Sequence, residues 1–317
     1  MRVLVAGATG AMGRPLVRLL RAEGHEVFGV TRRPQRAALL EALGARAVVA
    51  DALDAVALQR ALNEARPGAV VHLLTSLPPE GPLRTGDLAA TNSLRVRGTG
   101  NLLRASIAAG VRRVVVESFA GVYGAGQEVP FTEDAPLPAP TGPFADSVLA
   151  MRSLEHQAAT ARLHLETVAL RFGLLYGPEV PATLALARRL RRRRVFVPRG
   201  ATGVASFIHA DDAATAILAA LEASAPGLVY NVVDDQPVRI VDYLALAAEA
   251  LGVPPPRSAP VWLVRLAAPL LALGAFTRLA LSNARARAEL GWAPAFPTLR
   301  EGIAQVVHEW RAEPLRG

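Results

Sequence analysis

Residues 3–13 read Val-Leu-Val-Ala-Gly-Ala-Thr-Gly-Ala-Met-Gly, and residues 14–24 continue Arg-Pro-Leu-Val-Arg-Leu-Leu-Arg-Ala-Glu-Gly. The apolar start predicts a central parallel strand, and the leucines and valine that follow recur at helical spacing. Gly7, Gly10 and Gly13 lie in the turn between strand and helix. Glycines in such a turn let the backbone approach a pyrophosphate, and the N–H groups of the new helix then face the phosphates. The stretch therefore predicts a dinucleotide-binding turn, and a tight turn without ligand is the plainer alternative.

The composition limits which classes of protein and of site are possible. The chain has 317 residues, 51% of them hydrophobic, which suffices for one large α/β domain and a smaller lobe. It contains no cysteine, which excludes disulfides, thiolate chemistry and cysteine metal sites, and we expect no metal. The chain begins directly with its first strand, so we expect no signal peptide and a cytoplasmic enzyme.

The charge is basic without an obvious nucleic-acid site. The net charge is +8 and all 35 basic residues are arginines. The densest run, residues 188–194, could hold an anionic substrate or a nucleic-acid backbone, but we favour the solvated end of a helix. Residues 260–281 are strongly apolar, yet Arg265, Pro269 and Arg278 interrupt them. A buried or partner-facing helix is therefore expected there, with no membrane span and no nucleic-acid partner.

Strand and helix signals alternate through the first half of the chain, which predicts a doubly wound, Rossmann-type parallel sheet. We assign residues 1–172 to an NADP-binding Rossmann domain. Residues 173–317 are assigned mainly to a substrate-binding lobe, with segments near 205–233 returning to the first domain. A long helix is expected at about 91–109, and a Gly- and Pro-rich loop at 124–143.

The end of the second strand indicates which dinucleotide fits. An acidic residue there binds the ribose 2′-hydroxyl of NAD, whereas arginine accepts the NADP phosphate. Here Thr31 is followed by Arg32 and Arg33, which predicts that NADP(H) is preferred and NAD(H) accepted, unless both arginines are simply solvated. Asp51 could accept a hydrogen bond from the adenine amine, or it could cap the helix that begins near Asp54.

The expected dinucleotide contacts lie in the glycine turn and at the carboxyl ends of the strands, where α/β folds bind ligands. The full set is Gly7, Thr9, Gly10, Ala11, Met12, Gly13, Arg32, Arg33, Asp51, Ala52, Leu53, Leu73, Leu74, Thr75, Ser118, Phe172 and Gly173.

Further motifs point to a family. Taken together they resemble the extended short-chain dehydrogenase/reductase superfamily, in its NAD(P)-dependent epimerase/dehydratase group, over nearly the whole chain. The resemblance implies the Rossmann fold, a small-molecule substrate and a homodimer formed by the helices at 91–109 and 146–161, although the same residues would form the core of a monomer. The motifs are Gly7–Gly13, Val71–Leu74, Gly98–Leu103, Val122–Gly124, Leu170–Pro178, Phe207–Asp212, Tyr230–Val232 and Arg287–Trp292.

The chain departs from this family where the chemistry is expected. The family uses a Tyr-x-x-x-Lys pair and a Ser or Thr, and the matching positions here are Phe144, Val148 and Phe119. A phenyl ring cannot donate a proton, and valine cannot acidify a neighbouring group. The resemblance therefore implies an atypical member that lacks the ordinary mechanism.

Other residues could replace the lost pair. Glu117, Ser118 and Tyr123 are the candidate catalytic residues, since they lie at or just beyond the end of the fifth strand. Glu117 could act as a general base if burial raised its pKa, or it could pair with an arginine. Tyr123 could donate a proton or serve only the fold, and His72 is expected to be a core histidine.

Three functions remain open. The leading hypothesis is an atypical NADP(H)-dependent oxidoreductase or epimerase-like enzyme acting on a small, apolar, non-nucleotide substrate. Such a substrate would need little acid catalysis, and a conjugated or iminium acceptor is an example. The alternatives are an NADP(H)-binding sensor without catalysis and a non-redox isomerase or cyclase that reuses the pocket. Phe119, Phe144 and Phe172 favour an apolar substrate, while Arg171 and residues 188–194 leave an anionic one open.

Overall fold

The computed structural model describes residues 1–124 and 130–312. Residues 125–129, which are part of the loop expected at 124–143, and the C-terminal residues 313–317 lie outside the described residues.

The strands and helices alternate along the chain. The strands are β1 (Arg2–Ala6), β2 (Glu26–Thr31), β3 (Arg46–Val49), β4 (Ala69–His72), β5 (Arg113–Phe119), β6 (Glu166–Phe172), β7 (Leu174–Tyr176), β8 (Phe196–Pro198), β9 (Val204–Ala205), β10 (Phe207–His209), β11 (Val229–Val232), β12 (Val238–Arg239), β13 (Arg257–Ala259) and β14 (Arg278–Leu279). The helices are α1 (Gly13–Ala22), α2 (Ala37–Ala42), α3 (Ala55–Ala65), α4 (Ala89–Ser93), α5 (Thr99–Ala108), α6 (Ala145–Ala161), α7 (Pro181–Arg191), α8 (Ala210–Glu222), α9 (Ile240–Ala250), α10 (Val261–Ala267), α11 (Pro269–Gly274), α12 (Ala284–Leu290) and α13 (Leu299–Ala312).

A doubly wound Rossmann-type sheet organises the molecule. Its seven strands run in the order β11-β6-β5-β4-β1-β2-β3, and every pairing is parallel. Alternate residues of β5 face opposite layers: Val115 packs in the core beneath α1 and α8, whereas Val114 and Val116 pack in the core beneath α3, α5 and α6. Both faces are thus covered, which is why β1, β4 and β5 are almost continuously apolar.

Two elements differ from their expected bounds. Strand β5, which the sequence pattern predicts at residues 113–116, continues to Phe119, so the candidate residues Glu117 and Ser118 are part of it. The long helix expected at 91–109 is interrupted by one π-helical turn, Leu94–Gly98, between α4 and α5. Such turns change the direction of side chains along a helix and are frequent at functional sites.

The remaining strands and C-terminal helices form a smaller lobe. Tyr176, Phe207 and Ile303 belong to its separate hydrophobic core. The apolar stretch 260–281 forms two short helices, α10 and α11, instead of one, because Pro269 begins a new helix and the residue before proline avoids the helical conformation. Among the residues that the structure describes, no helix is long and apolar enough to span a membrane.

The basic run lies at the end of a helix, as expected from charge complementing the helix dipole. Arg188, Arg189 and Arg191 occupy the last turn of α7, and Arg189 forms an ion pair with Glu80 in the loop after β4.

The homodimer expected from the helices at 91–109 and 146–161 stays a prediction.

Candidate active site

The glycine turn between β1 and α1 is close-packed and leaves backbone exposed. Gly7 has φ +97°, and a Cβ there would lie 2.4 Å from the carbonyl oxygen of Leu73 at the end of β4. A Cβ on Gly13 would lie 2.2 Å from the Gly7 oxygen. Gly10 is exposed, whereas Met12 turns into the core and is 7% exposed. Because no side chain covers the turn at Gly10, its backbone is accessible to a phosphate at the start of α1.

Three arginines lie beside this cradle. Arg32 and Arg33 are exposed directly after β2, and the Arg33 N–H donates to the Thr31 hydroxyl at 3.2 Å. Arg36 is a third arginine, which the sequence did not single out: its Nη1 donates to the Thr9 hydroxyl of the glycine turn at 3.3 Å. Residues 32–36, here called the arginine loop, therefore border the same surface as the glycine turn.

The loop after β3 is held by its own side chains and by α5. Asp51 Oδ1 accepts a hydrogen bond from the Leu53 N–H at 2.9 Å, and Asn101 Nδ2 donates to the Ala52 carbonyl at 2.9 Å. The helix cap is Asp54, whose Oδ1 accepts from the N–H groups of residues 56 and 57. Asp51 is therefore not the cap, and the adenine contact remains the proposed role for it.

The end of β4 carries a buried histidine and then opens to the surface. His72 Nε2 lies 2.8 Å from the Thr99 hydroxyl, and burial lowers its pKa to about 4, helped by the positive charge of Arg95. This is a core histidine, as expected. Leu73 is buried against the glycine turn, and the chain emerges through the half-buried Leu74 to the exposed Thr75.

Two phenyl rings meet where the family resemblance places a proton relay. A Cβ built on Gly121 would lie 2.8 Å from Phe119 Cδ1 and 3.0 Å from Phe144 Cε1, so both rings pack over this glycine. Both rings are half-buried. Val148, one turn along α6 from Phe144, is 4% exposed and belongs to the same apolar cluster. Within the described part of the chain, Phe119, Phe144 and Val148 form an apolar surface, and none of these three side chains can donate a proton.

Ser118 and Tyr123 belong to a buried polar network behind that surface. Ser118 Oγ donates to Glu155 Oε1 at 2.6 Å, and Arg171 forms two hydrogen bonds with the Glu155 carboxylate, at 2.8 and 2.7 Å. Arg171 also donates to the Tyr123 hydroxyl at 2.7 Å, which in turn donates to Asn231 Oδ1 at 2.8 Å. Burial raises the pKa of Tyr123 above its ordinary value. This network ties β5, β6 and β11 to α6.

Glu117 is in a different situation. Its side chain extends from the face of β5 opposite to Ser118 and is half-buried. The carboxyl group forms no hydrogen bond or ion pair with residues 1–124 or 130–312. Burial raises the pKa of its carboxyl to about 7, against the opposing effect of the Arg95 charge. Its position in β5 is one residue beyond Val116, which pairs with His72 at the end of β4.

The two residues expected at the end of β6 are packed tightly. Phe172 is 3% exposed, and its ring lies in the core beneath α1 and α8. The Gly173 N–H donates to the Val232 carbonyl at 3.1 Å, and a Cβ there would lie 2.6 Å from the Ser206 oxygen. Any ligand contact at Gly173 is therefore limited to its backbone.

The comparisons with known proteins agree with this geometry. Residues 3–233 match the model of the NAD dependent epimerase/dehydratase family. The chain belongs to this family. A 3-diazoavenalumate denitrifying reductase from a Streptomyces species is 41% identical over 96% of this chain and 100% of its own length. A UDP-glucose 4-epimerase from Mycolicibacterium smegmatis is 30% identical over 98% and 99%, respectively. The structure of a Thermus thermophilus UDP-glucose 4-epimerase in complex with NAD matches with a TM-score of 0.81 and 26% identity, covering 99% of this chain and 100% of that one.

The family cofactor fits the site. Within the sheet, the glycine turn, the arginine loop and Asp51 follow β1, β2 and β3, and thus border one half of the carboxyl edge. Glu117, Phe119 and Phe172 border the other half, at β5 and β6. A dinucleotide lying across both halves, as in this fold, would have its adenine at the first half and its nicotinamide at the second.

Three polar residues of the site were not among the candidates from sequence. They are Arg36, Arg95 and Glu155. Arg95 did carry a signal, because it lies between Thr91 and Thr99 in the buried stripe of the long helix, where a charge is unusual. Arg36 and Glu155 carried no such signal in the sequence, since the residues they bind are distant along the chain.

Proposed function

We propose that the protein is an NADP(H)-dependent reductase that delivers a hydride to a small aryl diazonium compound. The observation that carries this proposal is the apolar surface of Phe119 and Phe144 over Gly121, at the positions where the family has its proton relay. A reductase with such a surface is best suited to an acceptor that does not need a proton. Bound reduced dinucleotide would supply the hydride.

The chemistry of diazonium ions meets that requirement. An aryl diazonium cation that accepts a hydride becomes the arene: a carbon–hydrogen bond forms, the carbon–nitrogen bond breaks, and its electron pair leaves with N2. The charge and atoms balance without a proton from the protein. A ketone, in contrast, becomes an alkoxide that has to be protonated, and a phenyl ring at position 144 cannot do so.

The Streptomyces relative supports the same substrate class. Its name describes a reductase that removes nitrogen from a diazo compound, and the compound is named as a carboxylate. The similarity extends over nearly the whole of both chains, so it includes the smaller lobe as well as the Rossmann sheet.

The residues of the pocket take distinct roles in this proposal. Phe119 and Phe144 offer flat apolar contacts for an aromatic ring and exclude water from the acceptor. Glu117, in its ionised form, would supply a negative charge toward the cationic diazonium group. Ser118 and Tyr123 act indirectly, by holding β5 in place through Glu155 and Arg171.

The NADP preference belongs to the proposal too. Arg32 and Arg33 lie where the ribose 2′-phosphate is expected. Arg36, in the turn before α2, donates to the Thr9 hydroxyl of the glycine turn. No carboxylate follows β2 that would bind the ribose of NAD in their place.

The test uses purified protein and NADPH with three acceptors: an aryl diazonium salt, the aryl ketone with the same ring, and UDP-glucose. We expect loss of reduced nicotinamide absorbance above the protein-free rate with the diazonium only, and release of one N2 per NADPH. Reduction of the ketone, or turnover of UDP-glucose, would overturn the proposal. Tight NADPH binding without turnover of any acceptor would favour the sensor hypothesis.

A further inference from the structure

We propose that helices α10 and α11, with the arginines beside them, form a docking face for an anionic lipid bilayer. The face lies on the smaller lobe, and its role goes beyond the proposed function because it does not depend on what the active site reduces. The contact is with the membrane surface and involves no membrane span.

The two helices bury small residues and expose large ones. Their contact with the lobe is the cluster of Ala259, Val264 and Ala272, which are 2–6% exposed. Trp262, in contrast, is 68% exposed and Leu266 is 72% exposed. A helix that only completes a fold turns its large apolar side chains inward. The exposure therefore favours a partner-facing stretch over a buried one. The other large apolar residues exposed here are Leu263, Leu271, Leu273 and Phe276.

The same face continues onto the short sheet of β8 and β13. These strands pair in parallel, with Arg257 opposite Phe196, and both side chains are exposed. Ala259, two residues beyond Arg257, extends from the same side of its strand and is covered by Val264 and Ala272. An exposed aromatic ring and an exposed guanidinium therefore lie beside the two helices, on the side of the sheet that the helices cover.

The segments that build this face are basic and contain no acid. Residues 180–210 include seven arginines and residues 250–284 include three, with no Asp or Glu in either range. Among residues 1–124 and 130–312, the one ion pair that these ten arginines form is between Arg189 and Glu80. The remaining arginines are therefore available to an external anion.

Backbone and side-chain contacts hold several of these arginines next to the helices. Arg193 Nη1 donates to the Pro254 carbonyl at 2.7 Å, which fixes the end of the arginine run beside β13. The Arg199 N–H donates to the Ala259 carbonyl at 3.0 Å, directly before α10. Arg265 is exposed within α10 itself. Positive charge thus borders the apolar side chains.

A bilayer matches both properties of the docking face. Trp and Leu side chains enter the boundary between headgroups and acyl chains, while arginines bind the lipid phosphates. An acidic protein would match the charge, but a protein interface also has polar groups that fix its register. Apart from Arg265, the exposed side chains of α10 and α11 are all apolar. A fluid bilayer requires no register, so it is the partner that the face favours.

The binding experiment is co-sedimentation of the full-length protein with vesicles of phosphatidylcholine alone, or of phosphatidylcholine and phosphatidylglycerol in equal parts. We expect binding to the anionic vesicles only, and added salt should weaken it. Arg257→Gln with Arg265→Gln should weaken binding roughly tenfold or more. Arg60→Gln with Arg66→Gln removes the same charge from exposed positions in and directly after α3, and should leave binding unchanged.

A second pair of variants tests the apolar part of the face. Leu266→Ser should weaken vesicle binding roughly tenfold, because the leucine no longer enters the acyl boundary. Leu163→Ser, at a residue that is 81% exposed after α6, is the matched control and should bind as wild type does. Both residues are exposed, so neither variant should change Tm.

Trp262 provides a direct signal of the orientation. The other two tryptophans are sheltered, since Trp292 is 4% exposed and Trp310 is half-buried and donates to the Pro178 carbonyl. Vesicles with brominated acyl chains should quench the fluorescence of wild type. Trp262→Phe, which keeps an apolar ring, should still bind the vesicles but lose most of the quenching.

Four results would overturn the inference. They are the absence of binding to anionic vesicles, binding that Leu266→Ser leaves intact, and quenching that Trp262→Phe leaves unchanged. The fourth is self-association in ultracentrifugation that Leu266→Ser abolishes and Leu163→Ser does not, which would assign the face to a second copy of the chain. Vesicle binding is measured without any acceptor, so it can fail while diazonium reduction succeeds, and the reverse also holds.

Discussion

The substitution Glu117→Gln should stabilise the protein at mildly alkaline pH and leave its stability unchanged in acid. Burial raises the pKa of Glu117 from 4.5 to about 7, so over this window the folded protein retains a proton that the unfolded chain has lost. Stability contributed by this group therefore falls as pH rises from about 4.5 toward 7. Glutamine resembles the protonated acid in size and hydrogen bonding, but it does not ionise.

The magnitude follows from the same values. Holding the pKa of the carboxyl at about 7 instead of 4.5 costs the ionised folded protein about 3 kcal/mol. Glu117 is only half-buried, and solvent screening reduces the expected difference to about 1–2 kcal/mol. Such a cost is typical of groups retained for function rather than stability.

The assay is urea unfolding of ligand-free wild type and Glu117→Gln at about pH 8 and about pH 4, conditions chosen to bracket the two pKa values of the native and unfolded states. Glu23→Gln, at an exposed position after α1, is the matched control, and it should leave the free energy of unfolding unchanged at both pH values. Two results would refute the reasoning. One is an equal difference in unfolding free energy between wild type and Glu117→Gln at both pH values, and the other is a Glu117→Gln variant that is less stable than wild type at pH 8.

Three further predictions concern the dinucleotide and the residues at positions 144 and 148. Gly13→Ala should weaken NADPH binding at least tenfold in a fluorescence titration, because its Cβ would lie 2.2 Å from the Gly7 oxygen; unaltered affinity would show that the turn is not the phosphate site. The double variant Arg32→Ala, Arg33→Ala should lose about 1.5–3 kcal/mol of NADPH binding while NADH binding stays constant, and an equal loss for both would reject the 2′-phosphate contact. Phe144→Tyr with Val148→Lys should gain reduction of a simple aryl ketone; continued inactivity would mean that more of the family site than this pair has been lost.

Much of the fold follows from patterns that are local in sequence. The glycine turn, the alternation of strand and helix signals and the family motifs predict the parallel sheet, and the structure confirms it. The sequence pattern predicts too short a strand β5, because its last residues, Glu117–Phe119, are not uniformly apolar. Their pairing with β6 extends the strand. The π-turn at Leu94–Gly98 has no clear signature in residue spacing.

The site was harder to predict because burial depends on distant partners. Ser118 and Glu117 are adjacent in sequence and both polar, yet one is hydrogen-bonded to Glu155, 37 residues away, and the other has no partner in the described residues. Tyr123 is held by Asn231, 108 residues away. Residue type and position alone could not separate these cases. The phenylalanine at position 144 and the valine at position 148 could be read directly from the sequence, because that depends only on which residue is present.

The central claim is that hydride transfer at the Phe119 and Phe144 surface involves no proton transfer. The most direct measurement is a single-turnover reaction of the NADPH complex with an aryl diazonium, followed with protiated and C4-deuterated NADPH, in H2O and in D2O. We predict that deuteration of the cofactor slows the reaction and that D2O does not. A reaction slowed by D2O but insensitive to the cofactor label would contradict this account.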